Sequence, residues 1–211
     1  MPDYQTIRGI STFEYEEKRS RFIASAAFAD TEEAALAHLN RIKAANRTAR
    51  HNVYAYVLRE GGRTRYSDDG EPAKTAGTPV LEAIGHAGLS DVIVVVTRYF
   101  GGVLLGTGGL VRAYTQSAKD ALDAAGISVV RRWVEVAVPC PYSFFERLKL
   151  ELEAHGGVLG EVEYAADVTV HALLPEERAE AFSARLTELA AGGVAAQVCG
   201  ESFQAVPRTQ V

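Results

Sequence analysis

The polar and apolar positions after residue 132 follow two periods, one typical of strands and one typical of helices. Some segments alternate with a period of two, whereas others repeat apolar residues at helical spacing and end in glycine pairs. In chain order they are a strand at 133–139, a helix at 143–157, two strands within 158–175, a helix at 176–193 and a strand at 194–206. This β-α-β-β-α-β order predicts a ferredoxin-like domain.

The first 132 residues also mix the two periods. Thr78 and Pro79 are the expected cap and first residue of one short helix. Residues 91–100 are apolar and β-branched, which predicts a strand buried on both faces. The fold class is therefore α+β. The predicted elements are a strand at 18–29, a helix at 30–46 capped by Asp30 or Thr31, a hairpin at 51–70 turning at Gly61-Gly62, a helix from Thr78 to about His86, a strand at 91–100 and a helix at 109–126.

The composition is that of an ordinary globular chain of 211 residues, with 47% apolar and 23% charged residues. Its two cysteines, Cys140 and Cys199, are too few for a secreted disulfide scaffold and lack the spacing of metal ligands. No signal-peptide pattern and no apolar run long enough for a bilayer occurs in the sequence. We therefore expect a cytoplasmic protein without a membrane partner.

The net charge of −5 is unevenly distributed along the chain. Residues 1–132 contain 17 basic and 15 acidic residues, a net charge of +2, whereas residues 133–211 contain 5 and 12, a net charge of −7. The composition changes near Arg131-Arg132-Trp133, so the predicted domains are 1–132 and 133–211. A polyanion would contact the first domain.

Residues 98–114 read RYFGGVLLGTGGLVRAY, with five glycines within nine positions between a strand and a helix. A Walker A loop requires a lysine where this chain has Thr107. The dinucleotide-binding fingerprint requires a third glycine where this chain has Val111. Neither common nucleotide-binding signature is present.

An anion site remains possible at this loop on physical grounds. Thr107 can cap the helix while Gly108 and Gly109 form its first turn, leaving N–H groups and the positive dipole end for a phosphate. Arg98, Lys74 and Arg112 are candidate cations, and RNA phosphate would suit the site as well as a nucleotide. The alternative is that the glycines only allow close packing.

The segment at 66–81 and His51 contain the other candidate polar groups. Asp68, Asp69 and Glu71 could hold a magnesium ion, but adjacent aspartates are also typical of a solvated turn. His51 has no serine or cysteine nucleophile in a recognisable pattern nearby. We therefore predict no catalytic residue, no bound metal and no cofactor.

Four motifs taken together resemble the IMPACT/YigZ family. They are KRSRFIA (18–24), His51-Asn52 followed by Ala55-Tyr56, SDDGEPAKTAGTPVL (67–81) and VVVTRYFGGVLLGTGGLVRAY (94–114). The resemblance covers residues 18–125, and the β-α-β-β-α-β segment is similar to the extra C-terminal domain of bacterial members. Lys74 stands where the family usually has glycine, and Val53 where it often has cysteine. Because lysine favours ordinary backbone angles, we expect a changed loop at residue 74.

The resemblance implies a fold and a field of activity. It implies a first domain like the second domain of ribosomal protein S-five, and a ferredoxin-like second domain similar to the last domain of elongation factor G. Eukaryotic members regulate translation initiation under amino-acid stress. A shared fold is a weak argument for a shared function.

The leading hypothesis is a translation-associated regulator that binds RNA or the ribosome. Tyr99 or Phe100 would stack on a base while the cations and the glycine loop meet phosphates. One alternative is an enzyme acting on a small phosphorylated metabolite, with His51, Asp68, Asp69 and Glu71 as its polar groups. Another is a regulator that binds a protein through its acidic C-terminal domain. The predicted anion-binding residues are Lys74, Thr75, Arg98, Tyr99, Gly101, Gly102, Gly106, Thr107, Gly108, Gly109 and Arg112.

Overall fold

The structure, a computed structural model, describes residues 3–207. These residues divide into two compact units, one formed by residues 4–129 and one by residues 130–205 together with Asp3. The division falls between Val129 and Val130, inside a continuous strand, whereas the composition change places the boundary after Arg132. The change in composition and charge along the sequence therefore lies three residues after the start of the second unit at Val130.

The described residues form ten strands, five α-helices and one short 3-10 helix at Glu60–Gly62. The strands are β1 (Tyr4–Ile7), β2 (Ser11–Glu17), β3 (Ser20–Phe28), β4 (His51–Val57), β5 (Thr64–Ser67), β6 (Val92–Tyr99), β7 (Ile127–Cys140), β8 (Val158–Tyr164), β9 (Val168–Pro175) and β10 (Gln197–Pro207). The helices are α1 (Glu32–Ala45), α2 (Gly77–His86), α3 (Gly106–Ala125), α4 (Tyr142–Ala154) and α5 (Glu176–Leu189).

The N-terminal unit is built on an antiparallel sheet in the order β2-β3-β6-β4-β5. Successive side chains of a strand point to opposite faces, so β6 contributes to both sides of the sheet. Val94 and Val96 belong to the core that contains α2 and α3, and Ile93 and Val95 belong to the core that contains α1. The predicted burial of β6 on both faces is confirmed.

Of the three helix caps predicted from the sequence, one agrees with the structure and two do not. Thr31 caps α1 as predicted, its hydroxyl accepting the Ala34 N–H at 3.2 Å. The predicted Thr78 cap of α2 is wrong, because the helix begins at Gly77, and the N–H groups of Ala76 and Gly77 donate to the carboxylate of Asp68. A carboxylate delivered by the preceding loop takes the place of a local hydroxyl. The predicted Thr107 cap is also wrong, since α3 already begins at Gly106 without a side-chain cap.

The C-terminal unit has the predicted β-α-β-β-α-β order. β10 pairs with β7, β7 pairs with β9, and β9 pairs with β8. Its core places Val170 and Leu174 of β9 with Leu148 of α4 and Phe182 of α5. Cys140 is buried, Cys199 is exposed, and both are free thiols. Across residues 3–207, no helix combines the length and apolarity needed to cross a bilayer.

Candidate functional site

The loop between β6 and α3, residues 100–105, is held against the turn that precedes β3. The Gly101 N–H donates to the Ser20 hydroxyl at 3.2 Å. A Cβ built on Gly101 would lie 2.0 Å from the carbonyl carbon of Arg19. Gly102 adopts a φ of 84°, which favours glycine. Close packing therefore explains Gly101, as the alternative interpretation of the glycine loop expects.

The start of α3 is largely exposed. Gly106, Thr107 and Gly108 are exposed, whereas Gly109 is buried. The Arg112 side chain is exposed and its Nη1 atom lies 3.6 Å from the position that a Cβ on Gly108 would take. A phosphate at this helix start stays a prediction, with Arg112 as the cation beside it.

Arg98 is buried rather than presented as a free cation. Its side chain is 7% exposed, and its Nη1 atom donates to Glu71 at 2.7 Å. The Tyr114 hydroxyl donates to the same carboxylate oxygen at 2.8 Å. Arg98 follows Val94 and Val96 at alternate positions of β6, so its side chain is directed to the core face of the sheet that packs on α3. Arg98 and Glu71 therefore pair with each other in the interior, and the predicted contact of Arg98 with an anion stays a prediction.

The Arg98 guanidinium keeps unused donors in this environment. Its Nε atom is buried and has no hydrogen-bond partner among the described residues. The ring centroids of Phe22 and Phe100 lie 5.4 and 5.8 Å from its central carbon. Burial, and secondarily the Glu71 carboxylate, raises the pKa of Tyr114, so its hydroxyl stays protonated and donates to Glu71.

His51 is oriented by the turn at Asp69. Its Nδ1 atom lies 2.9 Å from the Asp69 carbonyl oxygen, which can only accept a hydrogen bond. Nδ1 is therefore the protonated nitrogen, and Nε2 is left without a partner in the part of the chain that the structure describes. The Asp69 carboxylate accepts the Asn52 N–H at 2.6 Å and lies 3.5 Å from the Lys43 ammonium.

The loop at 68–77 assigns its acidic side chains to separate partners. Asp68 accepts the Lys74 N–H at 2.9 Å in addition to the N–H groups of Ala76 and Gly77. Asp69 bonds to β4, and Glu71 bonds to Arg98. Among residues 3–207, no group of three or more His, Cys, Asp or Glu side chains is arranged to hold a metal ion.

Two predicted anion contacts in this loop differ from expectation. Lys74 adopts a φ of 64°, so the loop keeps a left-handed residue at this position instead of changing to ordinary angles. Thr75 is buried, and its hydroxyl donates to the Pro72 carbonyl at 2.7 Å, so it is not available to an external phosphate. Lys74 itself is exposed.

A cleft of about 520 Å³ brings three of the predicted residues together at the end of β6. His51, Arg98 and Tyr99 line it, and the Tyr99 hydroxyl donates to the Asn46 side chain at 2.9 Å. Phe100, the predicted alternative to Tyr99 as the stacking residue, also lines it, and three residues that the sequence analysis does not name complete its wall: Thr48, Arg50 and Leu104. The position of Arg50 directly before His51 is the sequence signal that could have identified it.

The cleft combines positive charge with exposed apolar groups. Phe100 is 57% exposed and Leu104 is 83% exposed. Arg47 and Arg50 are exposed, and within the described chain neither forms an ion pair. Such a cleft can bind an anion and stack an aromatic group, and it contains no serine or cysteine nucleophile.

Comparisons with known proteins agree on one family. A model of the Impact N-terminal domain matches residues 18–122, and a model described as a domain of unknown function, DUF1949, matches residues 138–192. The chain is 36% identical to the IMPACT family member YvyE of Bacillus subtilis over 191 residues, covering 90% of this chain and 88% of that protein. The chain belongs to the IMPACT family. The YigZ member of Escherichia coli is 35% identical, with 85% and 89% of the two chains covered.

A solved structure supports the same IMPACT-family fold. It is described only as a hypothetical protein, is 32% identical, and superposes with a TM-score of 0.60 over 95% of this chain and 98% of that chain. The predicted family and the α+β fold class are confirmed. Every residue that lines the cleft lies within the segment matched by the Impact N-terminal domain.

Proposed function

We propose that this IMPACT-family chain is a translation-associated regulator that binds RNA, free or within the ribosome, through its N-terminal unit. The observation that supports this most is the cleft at the end of β6, where Arg50 and Arg98 lie beside the exposed ring of Phe100. Cations for phosphates and an exposed aromatic ring for bases are the combination that binders of single-stranded nucleic acid use.

The first 132 residues have a net charge of only +2, but exposed cations cluster locally in this part of the chain. Arg47 and Arg50 precede β4, and Lys18 and Arg19 form the exposed turn against which Gly101 packs. None of these four cations forms an ion pair with a described residue. Their charge is therefore available to phosphates, whereas the acidic C-terminal unit would repel them.

The association with translation rests on the family. The resemblance to eukaryotic members that regulate translation initiation supports a role in translation. The cleft is compatible with this role because its side chains can contact phosphates and stack on bases. RNA contacts at the start of α3, from the exposed residues 106–108 and Arg112, would extend the same surface.

Fluorescence anisotropy of a labelled structured RNA over a salt series tests this proposal. The parent protein is expected to bind with an affinity that falls as salt rises, and Arg50→Gln is expected to lower the salt slope by about 1. Arg147→Gln removes an equal charge from an exposed position of α4 and is the matched control, which should leave the slope unchanged. Absence of salt-sensitive binding by the parent would refute the proposal.

A further inference from the structure

The buried guanidinium of Arg98 makes only one hydrogen bond to a described residue, from Nη1 to Glu71. A guanidinium has five N–H donors, and buried donors in proteins are almost always paired. The Arg98 side chain is more than nine-tenths buried. Its Nε atom is also buried and has no hydrogen-bond partner in the described chain. An unpaired donor in such a place calls for an acceptor that the chain itself does not supply, which is either a bound water or a ligand.

Arg98 lies in the wall of the cleft together with two further polar side chains, those of Arg50 and His51. Arg50 is exposed and has no ion pair within the described residues. The ring of His51 is fixed by its Nδ1 contact with Asp69, and its Nε2 atom is left for a ligand. Glu71 holds the Arg98 guanidinium through its Nη1 atom, so the position of the remaining donors is set before any ligand binds.

We propose that this cleft binds a phosphomonoester, the terminal phosphate of an RNA strand whose last base stacks on Phe100; this inference rests on the RNA-binding function proposed above. A phosphomonoester carries nearly two negative charges and three terminal oxygens at neutral pH, and arginine matches this geometry with paired N–H donors. Arg98 and Arg50 provide N–H donors for its oxygens, and the unprotonated Nε2 atom of His51 accepts a hydrogen bond from the oxygen that carries the phosphomonoester's remaining proton. An internal phosphodiester has only two free oxygens and one charge, so it matches the three groups less well.

A free mononucleotide presents the same chemistry as the end of an RNA strand. Calorimetric titration of the full chain with inorganic phosphate, UMP, UpU and the 5′-phosphorylated dinucleotide pUpU separates these sources. We expect pUpU to bind at least about tenfold tighter than UpU, because each 1.4 kcal/mol gained at the phosphate is a factor of ten. Equal affinity for pUpU and UpU would overturn the phosphate site, even if structured RNA binds.

Three variants test whether the preference for pUpU over UpU arises in the cleft. Arg50→Gln and His51→Gln should each reduce the ratio of the pUpU affinity to the UpU affinity severalfold. Arg98→Lys keeps a cation beside Glu71 but removes the planar guanidinium, so it should abolish most of the preference for pUpU over UpU. An unchanged thermal unfolding midpoint would show that the fold of this variant is intact. Lys119→Gln, at an exposed position of α3 outside the cleft, should keep the parental ratio.

The other outcomes also decide between the two proposals. If UMP binds as tightly as pUpU and structured RNA does not bind, the phosphate site stands and the proposed RNA-binding function fails. If structured RNA binds with the expected salt slope and the ratio is unchanged in all three cleft variants, the RNA-binding function stands and the phosphate site fails.

Discussion

Lys74 holds a left-handed backbone conformation, with a φ of 64°, in the loop that begins with Asp68 and Asp69. Left-handed angles cost a residue with a Cβ about 1 kcal/mol or more, and glycine avoids that cost. The Lys74 N–H donates to Asp68, which keeps the residue in this conformation. Lys74→Gly should therefore raise the free energy of unfolding by about 1 kcal/mol, measured by urea denaturation.

Lys74→Ala is the matched control, because it removes the same ammonium group but keeps a Cβ. It should leave the free energy of unfolding within about 0.5 kcal/mol of the parent value. Equal stabilisation by both substitutions would show that the ammonium charge, and not the backbone angle, is unfavourable.

His38 introduces an acid sensitivity into the N-terminal unit. Burial, and secondarily the neighbouring Arg41, lowers the pKa of His38 to about 4. Its Nε2 atom lies 3.2 Å from the Ser25 hydroxyl, and its Nδ1 atom lies 2.7 Å from Arg41. Because the folded state resists protonation, the unfolded state gains protons first as the pH falls. Stability is fully present above about pH 6.5 and is lost between about pH 6.5 and 4, by at most about 3 kcal/mol.

Urea denaturation of the parent and of His38→Gln at several pH values measures this effect. The slope of the unfolding free energy against pH between about 6.5 and 4 should be smaller in His38→Gln than in the parent. His86→Gln changes an exposed histidine on α2 and should keep the parental slope. A parental slope in His38→Gln would show that other groups cause the acid sensitivity.

At the scale of elements, Gly101 joins the end of β6 to the turn before β3. A Cβ at this position would lie 2.0 Å from the carbonyl carbon of Arg19 and 2.4 Å from the Ser20 nitrogen, both backbone atoms. One segment must move to accommodate it. Gly101→Ala should therefore lower the free energy of unfolding by about 2 kcal/mol or more.

Gly85→Ala provides the opposite case within the same unit. Gly85 lies in α2, and a Cβ there would meet no atom within 4 Å. Since alanine favours a helix over glycine, this substitution should raise the unfolding free energy by about 0.5–1 kcal/mol. If Gly101→Ala were as harmless as Gly85→Ala in denaturation experiments, the loop would not depend on its packing against Arg19.

Elements with strong periodicity could be predicted from the sequence, and the weakly patterned ones could not. The six elements after residue 132 have the predicted order, and α1 begins at the predicted Thr31 cap. β2 was missed because its residues, STFEYEE, are mostly exposed and leave no continuous apolar face. The α2 cap was assigned to the wrong residue because Asp68 reaches Gly77 through a loop that local rules do not describe.

The candidate site was only partly predictable for a similar reason. The motifs identified His51, Arg98 and Tyr99, which the structure brings into one cleft. They could not show that Glu71, far from Arg98 in sequence, neutralises it in the interior. Residue type indicates what a side chain can bind, whereas its partners are set by strand pairing and loop packing.

The two units of the protein differ in the charge that they offer to RNA. The N-terminal unit contains the cleft and the exposed cations Arg47 and Arg50, which form no ion pair with a described residue, and the sequence from 133 to 211 carries a net charge of −7. RNA contacts should therefore concentrate in the N-terminal unit and be few in the other.

The most direct test of RNA binding at the cleft is ultraviolet cross-linking of a uridine-rich RNA to the full chain, followed by mass spectrometry of tryptic peptides. Cleavage after Arg98 and Arg112 releases residues 99–112, which contain Tyr99, Phe100 and Leu104. We expect this peptide to be the main cross-linked product and Phe100→Leu to reduce its yield severalfold. Cross-links confined to peptides from residues 133–211 would contradict it.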